Sequence, residues 1–487
     1  MRIPTRVIDV GKNDNSSTVY LYEPRQDMSE EEKRSFKYIA LSHPWGDPHY
    51  HFHYVTTTQN LESHKQGISI STLPVTFQDA VHVARQLGIQ YVWIDSLCIK
   101  QAWKDDDGDF DEEAKHMESV FRLAYFVIAA SRAKGTSDGF LGARQQRKFV
   151  QFTPSNDVPV YVCQAIDNFQ RDIVHGSLNK RGWVLQERVL ARRTIYFSET
   201  QTYWECGEGI RCETLTKLKN SQEAFYGDPN FPNVATRSSK GGRMRLCELL
   251  YKQYSRLEFS HDYDRPLGIA GLEQRLLHAF GTQGGYGVLQ AFFHRSLLWH
   301  RDQIDPMIKI EFPTKQKFRV PSWSWMSRNG HIAFLAAPPR SVEWNYTLCS
   351  PWYNDQDGSS RTERALDIMN TSASSSSASI WYTSDPAGRI DLRGVARELH
   401  KLPREFDIYY DEVDAPRDRQ VWCVCIGRKR GDNDGGEVRE NQSYHYVLLV
   451  VQKLRIQNNE YFERVGVGVI HGSLIEWERP SLEVRII

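Results

Sequence analysis

Apolar and polar positions in the first 210 residues switch between two periods. Tyr38-Ile39-Ala40-Leu41-Ser42 is a short apolar run that ends in His43-Pro44-Trp45-Gly46-Asp47. It predicts a buried strand and a loop at its carboxyl end. Behind Pro74, Phe77, Ala80, Val81 and Ala84 recur at i, i+3, i+4 and i+7, a helix closed by Gly88. Tyr91-Val92-Trp93-Ile94 predicts a second strand, ending at Asp95. Met117, Val120, Phe121 and Ala124 repeat the helical spacing, with Asp109 or Asp111 as cap. Phe126 to Ala130 reads as a third strand ending at Ser131, and Thr194 to Phe197 as a fourth. Between them lie a polar insertion with a strand-like piece, Val158 to Cys163, and a helix carrying Trp183 and Glu187. This alternation predicts an α/β fold, a parallel sheet flanked by helices. Ligands gather outside the carboxyl ends of such strands, so Ser42, Asp95 and Ser131 fall on one rim.

The character changes beyond residue 210. A Gly/Ser/Arg-rich patch, Arg237 to Arg245, precedes a helical region whose best segment is Val288 to Arg301. Val320 to Met326 alternates like a strand with its tryptophans on one side. The serine-rich tract Thr371 to Ser379 reads as a loop. Strand-like runs follow at Val421 to Ile426, Tyr444 to Val451, Phe462 to Ile470 and Leu482 to Ile487. The expected division is an N-terminal arm (1–30), an α/β domain (31–210), a helical or mixed segment (211–340) and a β-rich accessory region (341–487). The first thirty residues offer little to fix them, and no internal repeat is evident.

Composition narrows the functional classes. The 487 residues hold 61 basic and 61 acidic side chains, so nothing pulls the chain as a whole toward nucleic acid or an anionic membrane. The basic patch 237–245 is too short and too lightly aromatic to change that. No apolar run approaches the length of a membrane span, and the N-terminus lacks an apolar signal core. Eight scattered cysteines fit reduced thiols, so a cytoplasmic protein is expected.

Trp183 and Glu187 are four apart on the predicted helix and share a face, with Leu190 a turn further on. A glutamate in an apolar stripe is costly unless something requires it, which makes Glu187 the leading reacting group. The plain alternative is an ion pair with Arg181, Arg188 or Arg192. Asp95 either positions a ligand hydroxyl, holds the His43 loop or caps the next segment. Trp45-Gly46-Asp47 is either a pocket mouth, Gly46 permitting close backbone approach, or a turn. Cys98 with His43 or His116 offers a nucleophile pair, but Leu97 and Ile99 favour an inert buried thiol. Cys206, Cys212 and Cys423-Val424-Cys425 lack the paired spacing of a structural zinc site, so no metal is expected. The acid run 105–109 suits a solvated loop better than a hard-cation site. There is no P-loop and no GxGxxG after a strand.

Four blocks in order carry a family resemblance: 38–47, Leu73 to Ala80, Leu87 to Gln101, and Gly182-Trp183-Val184-Leu185-Gln186-Glu187. Together they resemble the fungal heterokaryon-incompatibility (HET) domain family over roughly residues 36–206, and Phe462 to Gly468 is similar to a tail segment of many such proteins. The family usually has Ser-Tyr before the Trp-Gly block, where this chain has His43-Pro44. The resemblance implies a part in regulated cell death on fusion of unlike fungal cells. It also implies a distant likeness to TIR domains, hence a TIR/flavodoxin-like sheet. Many TIR domains hydrolyse NAD with a glutamate on the corresponding helix, so Glu187 is the implied catalytic residue. NAD is then a substrate rather than a cofactor. Ser42, His43, Trp45, Gly46, Asp47, Asp95, Ser131 and Trp183 would line its site. Two alternatives stay open: a non-catalytic module acting through a homo-oligomer or a signalling partner, and an enzyme for another small metabolite.

Overall fold

Every residue of Tyr38–Ser42 is buried, as a strand covered on both faces requires. This strand, β3, lies at the centre of a ten-stranded sheet. The computed structural model describes residues 3–11, 16–104, 106–144, 148–154, 158–163, 165–218, 228, 230–302, 307–313, 320–338, 340–352, 390–400, 408–412, 419–430, 439–456 and 459–487. The serine-rich tract and Asp105 lie outside them. The chain divides into two compact units, residues 1–234 with 267–272, and residues 235–266 with 273–487.

In the N-terminal unit, β1 (Val7–Asp9), β2 (Thr18–Tyr22), β3, β4 (Ile68–Ser69), β5 (Tyr91–Trp93) and β6 (Phe126–Ala129) share the sheet with four later strands. These are β9 (Arg193–Phe197), β10 (Thr202–Cys206), β11 (Gly209–Cys212) and β12 (Lys217–Leu218). A separate exposed hairpin supplies β7 (Phe149–Phe152) and β8 (Val160–Cys163). β5, β3, β6 and β9 are mutually parallel. All other pairings in this sheet are antiparallel: β1 joins β5, and β10 joins β9. The sheet is therefore mixed rather than parallel. The short edge strands were hidden among polar residues. Residues 1–30, read as a short strand or an arm, supply two of them. Numbered among themselves, the parallel strands lie in the order 2-1-3-4. The chain leaves β3 toward β5 on one side and later enters β6 on the other. The strand order therefore reverses at the β3/β6 junction, the place in such sheets where ligands gather outside the carboxyl ends.

Helix α3 (Val75–Gln86) buries Phe77, Ala80, Val81 and Ala84, the stripe its spacing predicts. Gly88 follows at φ +66°, the left-handed turn that ends such a helix. The next helical stretch is broken into α5 (Phe110–Ala114) and α6 (Met117–Leu123). Asp109 makes no side-chain cap. Its carboxylate is taken by the Arg6 guanidinium and by Lys100 N at 2.7 Å. Helix α7 (Gly182–Leu190) is buried on nearly every side.

In the C-terminal unit the two long helices are Lys240–Ser255 and Arg265–Phe280, the latter partly in the first unit. Val288 to Arg301 is not one helix. It comprises a two-residue strand, short helical turns and the strand Trp299–Arg301. Leu289, Phe292, Phe293, Leu297, Leu298 and Trp299 are all buried, so its apolar spacing reflects all-round burial, which mimics a helical period. Val320 to Met326 is a turn, not a strand. Ser324 Oγ accepts from Met326 N and donates to Tyr286 O, which takes the backbone out of any ladder. Five strands then close on themselves: Leu392–Glu398, Val421–Lys429, Tyr444–Ile456, Asn459–His471 and Leu482–Ile486. The interior of this barrel holds Leu392, Val424, Leu448, Phe462 and Val484. Among the described residues no helix is long and apolar enough to cross a membrane.

Candidate functional site

The site is built on α7. A helix buried all round must account for each polar side chain it carries, and α7 holds three in a row: Gln186, Glu187 and Arg188. Gln186 Oε1 accepts from Gly271 N at 3.1 Å. Arg188 forks onto Glu205 at 3.1 and 3.3 Å, and Tyr196 Oη donates to the same carboxylate at 2.5 Å. Glu187 differs. The Ser42 hydroxyl lies beside its carboxyl and favours the ionised form, while Oε2 is buried with no partner. Among the described residues it forms no ion pair. Arg188 is committed to Glu205, and an Arg181 guanidinium nitrogen donates to His43 O at 2.6 Å. Burial pushes the Glu187 carboxyl up to about 7, and the nearby Asp95 carboxylate adds to the rise. Ser42 and Arg181 oppose it.

Ser42 ends β3, Asp95 follows β5 at the start of α4 (Asp95–Cys98), and Ser131 follows β6. These three strands are neighbours, and Ala130 N donates to Ser42 O at 2.9 Å across the junction where the strand order reverses. Asp95 Oδ2 accepts from the Trp45 indole N–H at 2.8 Å, its Oδ1 caps Ser96 N at 2.7 Å, and Oδ1 lies 3.9 Å from His43 Nδ1. Asp95 thus ties the His43 loop to the end of β5. His43 stands edge-on to Phe77, fully buried, with both ring nitrogens unpartnered. Burial holds it down to about 4, so the imidazole is neutral at physiological pH. Ser131 Oγ is also buried without a partner.

Ser42, His43, Trp45, Asp95 and Glu187 are therefore linked by direct contacts, with Ser131 at the same junction. The remaining residues lie further out. Gly46, at φ +81°, packs against the ring of His51 and the backbone of Gly135, and its carbonyl accepts from His53 Nε2 at 2.9 Å. Asp47 is exposed and caps its own turn through His49 N at 2.9 Å. The Trp183 ring meets Phe110 edge to face at 5.7 Å. Cys98 is buried and pushed up to about 12, mainly by burial, which leaves it unreactive. Two residues absent from the expected set complete the cluster: Arg181, expected only as an ion-pair partner, and His53, whose ring packs on Trp45 at 5.5 Å. Arg181, at the start of the helix that carries the buried glutamate, was a usable signal. His53 gave none.

Buried polar atoms without partners are uncommon. Here Glu187 Oε2, His43 Nδ1 and Nε2, and Ser131 Oγ share the carboxyl ends of adjacent strands or the helix bonded to them. The arrangement offers a carboxylate, a neutral imidazole and hydroxyls to one small polar ligand. A small cavity lined by Met244, Cys247, Tyr251 and Arg295 lies in the C-terminal unit, and none of the expected site residues lines it.

No curated protein and no solved structure matches the chain. A family model described as heterokaryon incompatibility protein (HET) matches residues 38–187, from the first residue of β3 to Glu187 itself. The matched segment holds β3, β5, β6 and the whole contact cluster, and this chain therefore carries a heterokaryon incompatibility domain.

Proposed function

We propose that this domain cleaves the nicotinamide N-glycosidic bond of NAD, with Glu187 as the key carboxylate. The observation that carries the reading is Glu187 itself: a buried carboxyl with an unpartnered oxygen, beside the end of the central strand at the strand-order reversal. The 2-1-3-4 order of the parallel strands supports the likeness to TIR domains. The chemistry suits one carboxylate. Nicotinamide leaves as a neutral group from an already cationic ring and needs no general acid. As the bond stretches, positive charge develops on the ribose, and an anion held beside it in a dry site stabilises that state. The cationic nicotinamide ring, placed beside the carboxyl, favours ionised Glu187, so binding lowers the raised pKa of the free site. Neutral His43 and the hydroxyls of Ser42 and Ser131 are suited to the ribose hydroxyls, Asp95 to fixing the loop, and Trp183 to forming a wall. Because Ser42, His43 and Glu187 are all buried, NAD enters only when the structure over them opens. That suits a toxic activity held in check.

The test is mass spectrometry of the full chain incubated with NAD. Nicotinamide release by the wild type, reduced by about a hundredfold or more in Glu187→Gln with folding retained, supports the reading. Wild-type protein that binds NAD but releases none overturns it. The second reading, a non-catalytic module working by association, is favoured by the β7/β8 hairpin, where Phe149, Val150, Phe152, Val160, Tyr161 and Val162 are all exposed. An assembled protein that neither binds nor turns over NAD would favour it.

A further inference from the structure

A second reactive cluster sits on the outside of the C-terminal barrel. In the strand Val421–Lys429, Val424 faces the barrel interior, while Cys423 and Cys425 face the other side. On the next strand Leu449 stands opposite Cys423 and Val447 opposite Cys425. His445, two residues before Val447, is therefore the diagonal neighbour of Cys425 on the same face. Its Nε2 donates to Glu440 O at 2.8 Å, with a Glu440 carboxylate oxygen 3.6 Å away. That fixes a proton on Nε2 and leaves Nδ1 for the Cys425 thiol. Arg397 pairs directly with Cys423, and its guanidinium lies over the Trp477 ring, which also packs on His445. Arg397 thus stands beside Cys423 and His445 beside Cys425, which is only partly buried.

We propose that Cys425 is a peroxide-reactive thiol, with His445 as its proton acceptor and Cys423 as its resolving partner. The Cys425 thiolate attacks one oxygen of a hydroperoxide. The S–O bond forms, the O–O bond breaks, and the departing oxygen takes the proton held on His445, leaving as water or an alcohol. Cys425 is oxidised to a sulfenic acid and the peroxide is reduced. The Cys423 sulfur then attacks the sulfenic sulfur, a disulfide forms, and water leaves with the Cys423 proton. Alternate residues on a strand are about 6.6 Å apart, the long end of the disulfide range, so the bridge is strained and easily reduced. The groups facing Cys425 fit this division of roles. The Cys423 thiol and then His445 hold Cys425 below the usual thiol range, against burial and Glu440. Of the two sulfurs, it is Cys425 that the imidazole faces and favours in the ionised form.

The test uses the full chain treated with hydrogen peroxide and then with dimedone, read by peptide mass. The wild type should lose two hydrogens from the peptide carrying Cys423 and Cys425, regained with dithiothreitol. Cys423→Ser should instead carry a dimedone adduct at Cys425, and Cys425→Ser should show neither. His445→Gln should slow the reaction about tenfold near pH 7 and converge with the wild type above about pH 9, where a free thiol ionises unaided. Should a variant misfold, competitive labelling of the eight wild-type cysteines decides instead, Cys425 reacting first near pH 6. The proposal is overturned if Cys425 reacts no faster than the exposed Cys163, or if His445→Gln leaves its rate unchanged.

Discussion

Glu187 is held at a cost, and the cost has a sign. Burial raises its carboxyl from 4.5 to about 7, so the folded state binds that proton more tightly than the unfolded chain. The stability linked to it is full below about pH 4.5 and lost as pH rises through 7, to a total of about 3 kcal/mol. Glu187→Gln should therefore unfold at higher denaturant than the wild type at pH 8, by up to about 3 kcal/mol, with the gain gone near pH 4.5. Chemical denaturation at several pH values measures this. Equal stabilities at pH 8 would mean that the carboxyl is not buried. His43 works in the opposite direction. Burial depresses it from 6.5 to about 4, so its contribution is present above 6.5 and lost as pH falls through 4. His43→Gln should flatten the acid side of the stability profile and leave the alkaline side alone. A residue that costs stability and is kept anyway is what a functional site predicts.

At the scale of elements, strands β3, β5 and β6 and helix α3 were legible because their apolar residues are buried where the periods put them. The sheet's antiparallel edges were not. β1 and β2 are three and five residues long, and only their pairing with β5 and with each other identifies them. Val288 to Arg301 misled because burial on all sides leaves no polar stripe to set the period. Val320 to Met326 misled because its serines are buried like its tryptophans, each hydroxyl bonded to the backbone of a distant segment, so the alternation marks no exposed face. In the site, Ser42 and Asp95 were readable as polar residues ending apolar runs and Glu187 as a carboxyl within an apolar helical stripe, whereas His53 meets Trp45 only through the fold of the loop. That loop turns at Gly46. A Cβ there would lie 2.3 Å from the His51 ring and 2.8 Å from Gly135 Cα, at a φ of +81° that side chains avoid. Gly46→Ala should destabilise the N-terminal unit by about 1–3 kcal/mol, read as a lower denaturation midpoint. An unchanged midpoint would show that the loop is not packed as described.

Across the whole molecule, each unit has its own core. The C-terminal barrel is pinned by an ion pair without solvent contact, Arg464 Nε to Asp411 at 3.1 Å, with the guanidinium 3.5 Å from the Trp299 ring centroid and donating to Leu297 O at 2.8 Å. Removing one partner strands the other, so Asp411→Ala should cost about 3–5 kcal/mol in the unfolding of that unit, while Asp411→Ala with Arg464→Met should recover part of it. No sequence pattern announced this pair, because its members lie 53 residues apart and meet only in the closed barrel. For the N-terminal unit the central claim is that Glu187 is a buried carboxyl facing the place where NAD binds. Infrared difference spectra of the full chain, wild type minus Glu187→Gln, observe that carboxyl directly as it titrates. One protonated-carboxyl band should disappear with a midpoint near 7 and shift to lower pH when NAD is added. A midpoint near that of an ordinary glutamate, or one that NAD leaves unmoved, would contradict the account.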